Sequence, residues 1–342
     1  SMSDEARADR RELIDSLWKF YTSQVEHLRG LPTGAIDDLV NNMHSRLVSA
    51  NGDVSAMALD QGLVDRVATR SETHNYLQQI LPTSNGDFAS VGMPAYLNHI
   101  KLSKLNAVDK SKPKVALVVA SGNILDGNQP EGTVGGDTIA SIFKEIQDDE
   151  KVKAIVLRVD SPGGSAFASD VIRDAIAETR KNNIPVVVSM GSYAASGGYW
   201  IATESDLVMA MSTSITGSIG VFGVIPTFED SLQALGIHSD GVGTSSISGM
   251  MQLDQPMTPQ AEMIIQSGVE HVYTRFLSLV ANSRNSTPSD IHKIAQGRVW
   301  TGEKALQLGL VDELGDLNDA IASAATLAGI SDYKVDYRRK KL

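Results

Sequence analysis

The chain has 342 residues, 42% of them hydrophobic and 21% charged, a balance typical of a soluble globular protein with a sizeable core. Its formal net charge of −11 argues against a nucleic-acid-binding surface, which would be basic, and disfavours an anionic membrane surface as a partner. The absence of cysteine excludes disulfides, thiolate metal sites and a cysteine nucleophile. No apolar run approaches the roughly 18 residues that a membrane-spanning helix needs.

The beginning of the chain resembles a later part of the same chain. Met2–Ala6 reads like Met257–Ala261, and an amphipathic helical pattern follows each segment. Ala58–Asp65 matches Ala305–Asp312 through a shared Ala-Leu-x-x-Gly-Leu-Val-Asp, whose glycine suits a helix C-terminus in both copies. We therefore expect residues 1–81 to be the helical tail of a truncated first repeat, whose β-rich body lies upstream of this sequence.

The next segment, residues 82–113, is polar and punctuated by Gly and Pro, which predicts a connector. From there to residue 342 we expect one domain in which apolar strands alternate with helices. Near-continuous apolar strands predict an α/β fold with a largely parallel sheet buried on both faces, and right-handed crossovers make it a βα superhelix. The predicted strands are Val115–Ser121, Val152–Val159, Ile184–Met190 and Leu207–Ala210, and the predicted helices are Asp137–Gln147, Ala166–Lys181 and a short one at Ser196–Ala202.

Three Gly/Ser-rich turns fall at or near the carboxyl ends of these strands, where chemistry in parallel sheets is concentrated. They are Asp160–Ser165, Gly191–Tyr199 and Thr216–Gly220. A single such turn is usually only a place where the backbone needs positive φ or close packing. Three of them at converging strand ends make a functional site the better interpretation.

Ser196 stands just after a predicted strand, before two glycines, and at the start of a short predicted helix. This placement exposes the hydroxyl and directs free helix N–H groups to the same point. A serine hydroxyl acts as a nucleophile when a base removes its proton and donors stabilise the oxyanion. The amide of Gly197 is a natural oxyanion donor, and the Gly163-Gly164 turn brings a second unhindered amide to the neighbouring strand end. The pattern therefore predicts a hydrolase.

The three turns also carry a family resemblance. Ser-Pro-Gly-Gly-Ser at 161–165, Ala-Ala-Ser-Gly-Gly-Tyr at 194–199 and Thr-Gly-Ser-Ile-Gly at 216–220 occur in the order seen in the protease IV (signal peptide peptidase A) family. The resemblance covers essentially the whole chain, as the C-terminal part of the family's two-repeat long form. It implies a crotonase/ClpP-like fold and a serine endopeptidase with a Ser/Lys dyad.

The resemblance assigns roles to four residues. It implies that Ser196 attacks the peptide carbonyl and that the Gly197 and Gly164 amides line the oxyanion hole. It also implies that Ser218 hydrogen-bonds the general base. No cofactor and no metal are implied.

The general base in this family is a lysine, which can serve only if burial lowers its pKa toward neutrality. In two-repeat members it comes from the body of the first repeat, and in single-repeat members from the stretch that matches Gly243–Pro259, where this sequence has no lysine. We therefore expect these 342 residues to lack the base, which the upstream repeat would supply. Lys101, Lys104 and Lys110 in the connector are the remaining stand-ins and are expected not to serve.

The resemblance also implies substrates, assembly and location. The expected substrates are short hydrophobic peptides such as cleaved signal peptides, held extended beside Ser196. Family members assemble into homo-oligomeric rings or bowls. The full-length protein is expected to be anchored in the bacterial inner membrane with its catalytic part in the periplasm, and this fragment is expected to be soluble.

Other interpretations of particular residues stay open. His238 and Asp240 suggest a Ser/His/Asp triad, although their polar, Gly-rich surroundings favour a local turn. Aromatic residues on the two matching helices are expected in the core rather than at a ligand; they are Trp18, Phe20, Tyr21, Tyr273 and Phe276.

Two other functions compete with a peptidase. A crotonase-type acyl-CoA hydratase or isomerase shares the expected fold, but it needs acidic catalytic residues and leaves Ser196-Gly197-Gly198 unexplained. An inactive scaffold or binding repeat is the alternative that is not an enzyme. Reaction of Ser196 with a serine-directed acylating probe, once a lysine-bearing segment is supplied, discriminates among the three.

Overall fold

A computed structural model describes the chain over residues 3–84, 87–106, 112–241, 249 and 252–339. The chain divides into two compact units, one of residues 1–13 with 112–342 and one of residues 14–111. The division of the sequence at residues 81 and 113 stays a prediction. Among the described residues, no helix has both the length and the apolar character that crossing a membrane requires.

The smaller unit is helical, with one short hairpin. The helix Arg70–Ile80 begins with a capping box in which Thr69 and Glu72 satisfy each other's backbone amides. Asp53 caps the helix Val54–Asp60 by accepting from two amides of its first turn. The elements up to residue 106 are α1 (Asp4–Arg29), of which only residues 14–29 belong to the smaller unit, α2 (Ala35–Asn41), α3 (Met43–Ser49), α4 (Val54–Asp60), α5 (Arg70–Ile80), β1 (Thr83–Ser84), β2 (Asp87–Phe88) and α6 (Met93–Asn106).

The larger unit alternates strands and helices. Its strands are β3 (Lys114–Ser121), β4 (Ile124–Leu125), β5 (Val134–Gly135), β6 (Val152–Ser161), β7 (Val186–Ala195), β8 (Leu207–Ala210), β9 (Ile215–Gly217), β10 (Val299–Thr301), β11 (Glu313–Leu314) and β12 (Lys334–Arg338). Its helices are α7 (Gly136–Gln147), α8 (Ala166–Lys181), α9 (Gly197–Trp200), a 3₁₀ turn (Ile201–Glu204), α10 (Glu229–Ala234), α11 (Pro259–Ser283), α12 (Pro288–Ile294), α13 (Gly302–Gln307) and α14 (Leu317–Leu327).

The main sheet has the strand order β10-β9-β7-β6-β3-β12, and β8 lies beside both β7 and β11. Its strand pairs are parallel, apart from the antiparallel pair of β9 and β10. The α/β class with a largely parallel sheet is thus confirmed. Because parallel strands end at the same edge, β3, β6, β7 and β9 deliver the residues that follow them to one place.

Both faces of this sheet are covered, which explains why its strands are continuous apolar runs. On one face, residues such as Ile155 and Leu157 pack with Ile172 of helix α8. On the other face, Val156 packs with Ala324 of helix α14. Alternate residues of one strand therefore belong to two separate hydrophobic clusters, as the two-residue period of a strand requires.

The edge strand β12 was missed in the sequence because its alternating charges resemble a polar tail. In the structure Lys114 and Arg338 both pair with Asp149, and Lys114 also lies 3.2 Å from Asp336. The hydrogen bond from Lys114 is the largest cause that lowers the pKa of Asp149 to about 2. The charged side chains of β12 thus bind it to the first residue of β3 and to the loop before β6.

Strand β7 departs from its predicted bounds. It extends five residues beyond Met190, because two different strands pair with its two halves. Strand β8 pairs with residues 187–190 and β9 with residues 193–195. The turn predicted to follow the fourth strand therefore begins on a strand of its own, β9. The short helix predicted at Ser196–Ala202 is α9, which continues into a 3₁₀ turn.

The two matching segments of the chain share local geometry. Arg29 pairs with Asp65 at 2.9 Å, and Arg284 pairs with Asp312 at 2.8 Å. Arg29 is the last residue of α1 and Arg284 is the C-cap residue of α11, and the aspartates end the two copies of the Gly-Leu-Val-Asp motif. The glycine of the motif has φ of 70° in the first copy and 72° in the second, so the helices that precede it, α4 and α13, are both followed by a residue in the left-handed conformation.

The aromatic residues of helix α1 are more exposed than expected. Trp18, Phe20 and Tyr21 were expected in the core, but their exposed fractions are 38%, 39% and 57%. Phe276, which matches Tyr21, is 1% exposed and packs on Trp200 at 4.8 Å between ring centroids. The reason for the difference is that the described part of the 14–111 unit has no sheet beyond its hairpin against which an aromatic face could pack.

Candidate active site

Ser196 joins the end of β7 to the start of α9 in a strained conformation. Its φ of 54° and ψ of −119° lie in a sparsely populated region for a non-glycine residue. Hydrogen bonds hold it there: its amide donates to the Gly217 carbonyl at 2.9 Å, and its carbonyl accepts from the Tyr199 and Trp200 amides at 2.9 Å each. Although Ser196 is the N-cap residue, its side chain makes no capping hydrogen bond. The hydroxyl is therefore available to the cavity that it lines.

Two backbone amides lie beside Ser196. A β-carbon added to Gly197 would lie 3.2 Å from the amide nitrogen of Gly164, which shows how closely the two glycines approach. A β-carbon on Gly163 would lie 2.7 Å from both the Gly197 nitrogen and the Ser196 β-carbon. Neither the Gly164 nor the Gly197 amide donates a hydrogen bond to another residue that the structure describes. A pair of unused amides beside a hydroxyl can stabilise an oxyanion.

Ser218 follows β9 and lines the same cavity as Ser196. Ala195 of β7 pairs with Gly217 of the adjacent parallel strand β9. Ser196 and Ser218, which follow these two residues, therefore lie at neighbouring strand ends. Ser218 has φ of 50°, and its amide donates to the Arg298 carbonyl at 2.7 Å. The structure thus brings together Ser196, Ser218 and the two glycines named in the sequence.

The cavity has a volume of about 850 Å³. Of the described residues that line it, Glu270 is the only one with a charged side chain, and no lysine, arginine or histidine is among them. A smaller pocket of about 80 Å³ adjoins Ser196 and is walled by Trp200 and Phe276. The smaller pocket suits an apolar side chain next to the reacting bond.

Several lining residues carry no sequence motif and were missed. Asn123 follows β3, and Glu270 lies on helix α11, about 75 residues after Ser196 in the chain. Tyr273, also on α11, was expected in the core, but it is only partly buried and lines the cavity. The Tyr273 hydroxyl lies 2.9 Å from Nδ1 of His292. The signal that could have found Glu270 is an acidic residue on the amphipathic pattern of α11, but exposed charges are common there.

The alternative residues do not join the site. His238 and Asp240 are exposed and line neither the cavity nor the smaller pocket. Lys101 and Lys104 lie on helix α6, where their side chains are not described, and Lys110 lies outside the described residues. Of the stretch Gly243–Pro259, residues 243–248, 250 and 251 also lie outside them.

A buried polar network supports helix α9 from behind. The Tyr199 hydroxyl donates to the Leu310 carbonyl at 2.6 Å, and Asp312 accepts from the Val208 amide at 2.7 Å. Arg284, with only 9% of its side chain exposed, pairs with Asp312. Burial raises the pKa of Tyr199 to about 12, although the charge of Arg284 opposes this. The network connects the helix that starts at Ser196 to the end of α11.

Replacing Tyr199 with phenylalanine is expected to lower the free energy of unfolding by about 1–2 kcal/mol, because the Leu310 carbonyl loses a buried donor.

The raised pKa of Tyr199 also predicts that the stability of the folded protein depends on pH. The folded state favours the neutral phenol of Tyr199. Its contribution to the free energy of unfolding is therefore complete below about pH 10 and is lost as pH rises toward about 12. Urea unfolding at several alkaline pH values should show a steeper loss for the wild type than for Tyr199→Phe. Equal slopes of the free energy of unfolding against pH in the two proteins would contradict a raised pKa of Tyr199.

The chain is similar in sequence to a known family and to known proteins. Residues 178–331 match the family described as Peptidase family S49. The chain is 41% identical over 338 residues to Protease 4 of Salmonella typhi and 37% identical over 345 residues to Protease 4 of Haemophilus influenzae. Each alignment covers 98% of this chain but only 53% and 55% of those proteins, so the chain spans about half the length of the curated relatives it matches.

A solved structure is also similar to the chain. It is that of a mutant of the 1510-N membrane-bound stomatin-specific protease, with a TM-score of 0.44 and 17% sequence identity. The alignment covers 68% of this chain and 100% of that one.

Proposed function

The chain belongs to peptidase family S49, and from this premise we propose that it carries the nucleophile of a serine endopeptidase, Ser196. The observation that carries the proposal is the Ser196 hydroxyl, which caps no helix and shares the smaller pocket with Gly164 and Gly197, whose amides are unused. A function as an acyl-CoA hydratase would not explain why Ser196 is held in a strained conformation. Backbone strain at a strand-to-helix turn is a known way to present a nucleophile.

In the proposed reaction the Ser196 oxygen attacks the carbonyl carbon of a peptide bond as its proton passes to the base. The carbonyl oxygen becomes an oxyanion, which accepts hydrogen bonds from the Gly164 and Gly197 amides. The base then gives its proton to the leaving amine, and water hydrolyses the acyl-enzyme by the same steps. Ser218, on the neighbouring strand end, hydrogen-bonds the base and orients it.

The base is a lysine from outside the described cavity walls, contributed by a segment of the longer protein that precedes this sequence. Two observations support this part of the proposal. The described residues that line the cavity include no basic side chain, and the bacterial relatives are about twice as long as this chain. Burial of that lysine between Ser196 and Ser218 would desolvate its amine, which lowers its pKa and makes it a base near neutral pH.

The repeated geometry supports a first repeat whose tail is residues 1–81. The Arg29–Asp65 pair and the Arg284–Asp312 pair occupy matching positions. In the second copy this arrangement packs on the body that carries Ser196, through Tyr199 and Trp200. In the first copy Tyr21 and Val64 are 57% and 39% exposed, as expected of a surface that a matching body covers.

The substrates, assembly and location follow from the family. The apolar pocket beside Ser196 suits short hydrophobic peptides such as cleaved signal peptides. The enzyme acts as a homo-oligomer with an enclosed chamber. The full-length protein is anchored in the bacterial inner membrane, with the peptidase on the periplasmic side.

The test is hydrolysis of a fluorogenic hydrophobic peptide by the 342-residue chain, with and without the preceding segment of the longer protein. We expect no turnover by the chain alone and Ser196-dependent turnover when the segment is present. A matched preparation of the segment with its lysines changed to methionine should restore nothing. If the 342 residues hydrolyse the peptide unaided, and Ser196→Ala stops the reaction, the base lies within this chain and the proposed source of the lysine is wrong.

A further inference from the structure

The cavity around Ser196 continues along helix α11. A second cavity of about 670 Å³ shares Gln266 and Glu270 with the first. Its walls carry apolar side chains, among them Met257, Met263 and Ile265, beside polar ones. The two adjoining cavities, called the groove below, suit an extended peptide whose side chains reach beyond the reacting bond.

The charges of this groove have one sign. Glu270 is shared by both cavities, and Glu262 lines the second. Among the described residues that line either cavity, no lysine, arginine or histidine is present. The Glu270 carboxylate accepts one hydrogen bond, from the Gln266 amide at 2.8 Å, and it forms no ion pair with the described residues. The groove therefore offers a carboxylate that is not neutralised, in a protein whose formal net charge is −11.

Helix geometry arranges these groups in a line. Glu262, Gln266 and Glu270 are spaced by four residues on helix α11, so they share one face. The distance from the first to the last is about 12 Å at 1.5 Å per residue. An extended peptide covers that distance with about four residues. The Glu270 end of the line lies in the cavity of Ser196, so it is the first charge that a bound peptide meets.

We propose that Glu270 determines specificity by binding a cationic side chain, a lysine or arginine, of the peptide substrate. The inference rests on the proposed function, because it takes the cavity of Ser196 to be the substrate groove. The preferred substrate is then a hydrophobic peptide with one basic residue at a fixed distance from the cleaved bond. The Gln266 amide holds the carboxylate in position, and the apolar walls pack against the aliphatic part of the cationic side chain.

The expected size of the effect is modest. An ion pair in a partly exposed groove favours binding by about fivefold, and salt weakens it. The effect should be confined to one or two adjacent positions of the peptide, because α11 holds the carboxylate at a fixed place. A diffuse negative surface would instead favour lysine at every position.

The experiment measures peptide binding in the Ser196→Ala background, where no peptide is cleaved. A fluorescent apolar peptide is prepared as a series in which lysine or norleucine occupies each position in turn, and dissociation constants are measured by anisotropy. We expect lysine to bind about fivefold more tightly than norleucine at one or two positions. Glu270→Gln should abolish this preference, and Glu270→Lys should reverse it in favour of glutamate peptides. The matched control is Glu145→Gln, which removes an exposed charge near the end of helix α7 and should change nothing.

The inference is overturned if lysine has no advantage at any position, if no peptide of the series binds, or if the advantage persists in Glu270→Gln. Labelling of wild-type Ser196 by an acylating probe, with the preceding segment of the longer protein present, tests the proposed function separately. If Ser196 does not label but the Glu270-dependent preference is present, the proposed function fails and the binding inference stands. If Ser196 labels and the preference is absent, only the inference fails.

Discussion

Replacing Ser196 with alanine is expected to reduce peptide hydrolysis by the assembled protein by about 10⁴-fold or more, because it removes the proposed nucleophile that forms the acyl-enzyme. The substitution removes one oxygen atom, which makes no capping hydrogen bond in the folded protein. Alanine suffers about the same backbone strain at φ of 54° as serine does, so the free energy of unfolding should change little. The loss would therefore be chemical and not structural.

The measurement is the rate of hydrolysis of a fluorogenic peptide, together with mass-spectrometric detection of the acylated peptide fragment after treatment with a serine-directed probe. Ser192→Ala is the matched control, since Ser192 is an exposed serine of the same strand. The Ser192→Ala protein should keep both peptide hydrolysis and acylation by the probe. Residual acylation of the Ser196→Ala protein at the same rate would show that another residue is the nucleophile.

The second large effect is expected from Gly164→Ala. A β-carbon at this position would lie 2.1 Å from the Ile124 carbonyl oxygen and 2.8 Å from its nitrogen. The φ of 151° is also one that residues with a side chain rarely adopt. Because Ile124 accepts from the Ser165 amide and donates to the Gly163 carbonyl, the turn cannot stay in place. The Gly164 amide would move away from the oxyanion position.

Loss of one oxyanion donor costs about 10²–10³-fold in kcat, and we expect at least this for Gly164→Ala. The free energy of unfolding should also fall by about 1–3 kcal/mol, because the added carbon is overpacked. Kinetics at saturating peptide and urea unfolding separate the two effects.

Gly132→Ala is the control for the Gly164 variant. Gly132 also has positive φ, at 93°, but an added β-carbon would meet nothing within 4 Å. Its variant should carry the backbone strain alone and keep its activity. If both variants lose activity equally, positive φ and not the position of the Gly164 amide explains the effect.

The sequence predicted those parts of the site that lie close together in the chain. Ser196 and Gly197 are neighbours at a strand end, so their positions follow from the local pattern of an apolar run, two glycines and a helix start. The same reasoning predicted that the Gly163-Gly164 turn brings a second amide to the neighbouring strand end, and the family resemblance named Gly164. Ser218 was named through a family resemblance, because the strand that carries it, β9, has only three residues and no distinct apolar run.

The sequence by itself determined the α/β class and the three strand-end turns. The reason is that strands buried on both faces must be continuous apolar runs, and turns at their ends must contain residues that tolerate positive φ. Only the tertiary structure decided that β8 and β9 divide β7 between them, which sets Ser218 beside Ser196. The position of Glu270 in the cavity was also decided there, because it depends on how α11 packs on α9, the 3₁₀ turn and α12, which are distant from it in sequence or set by the tertiary fold.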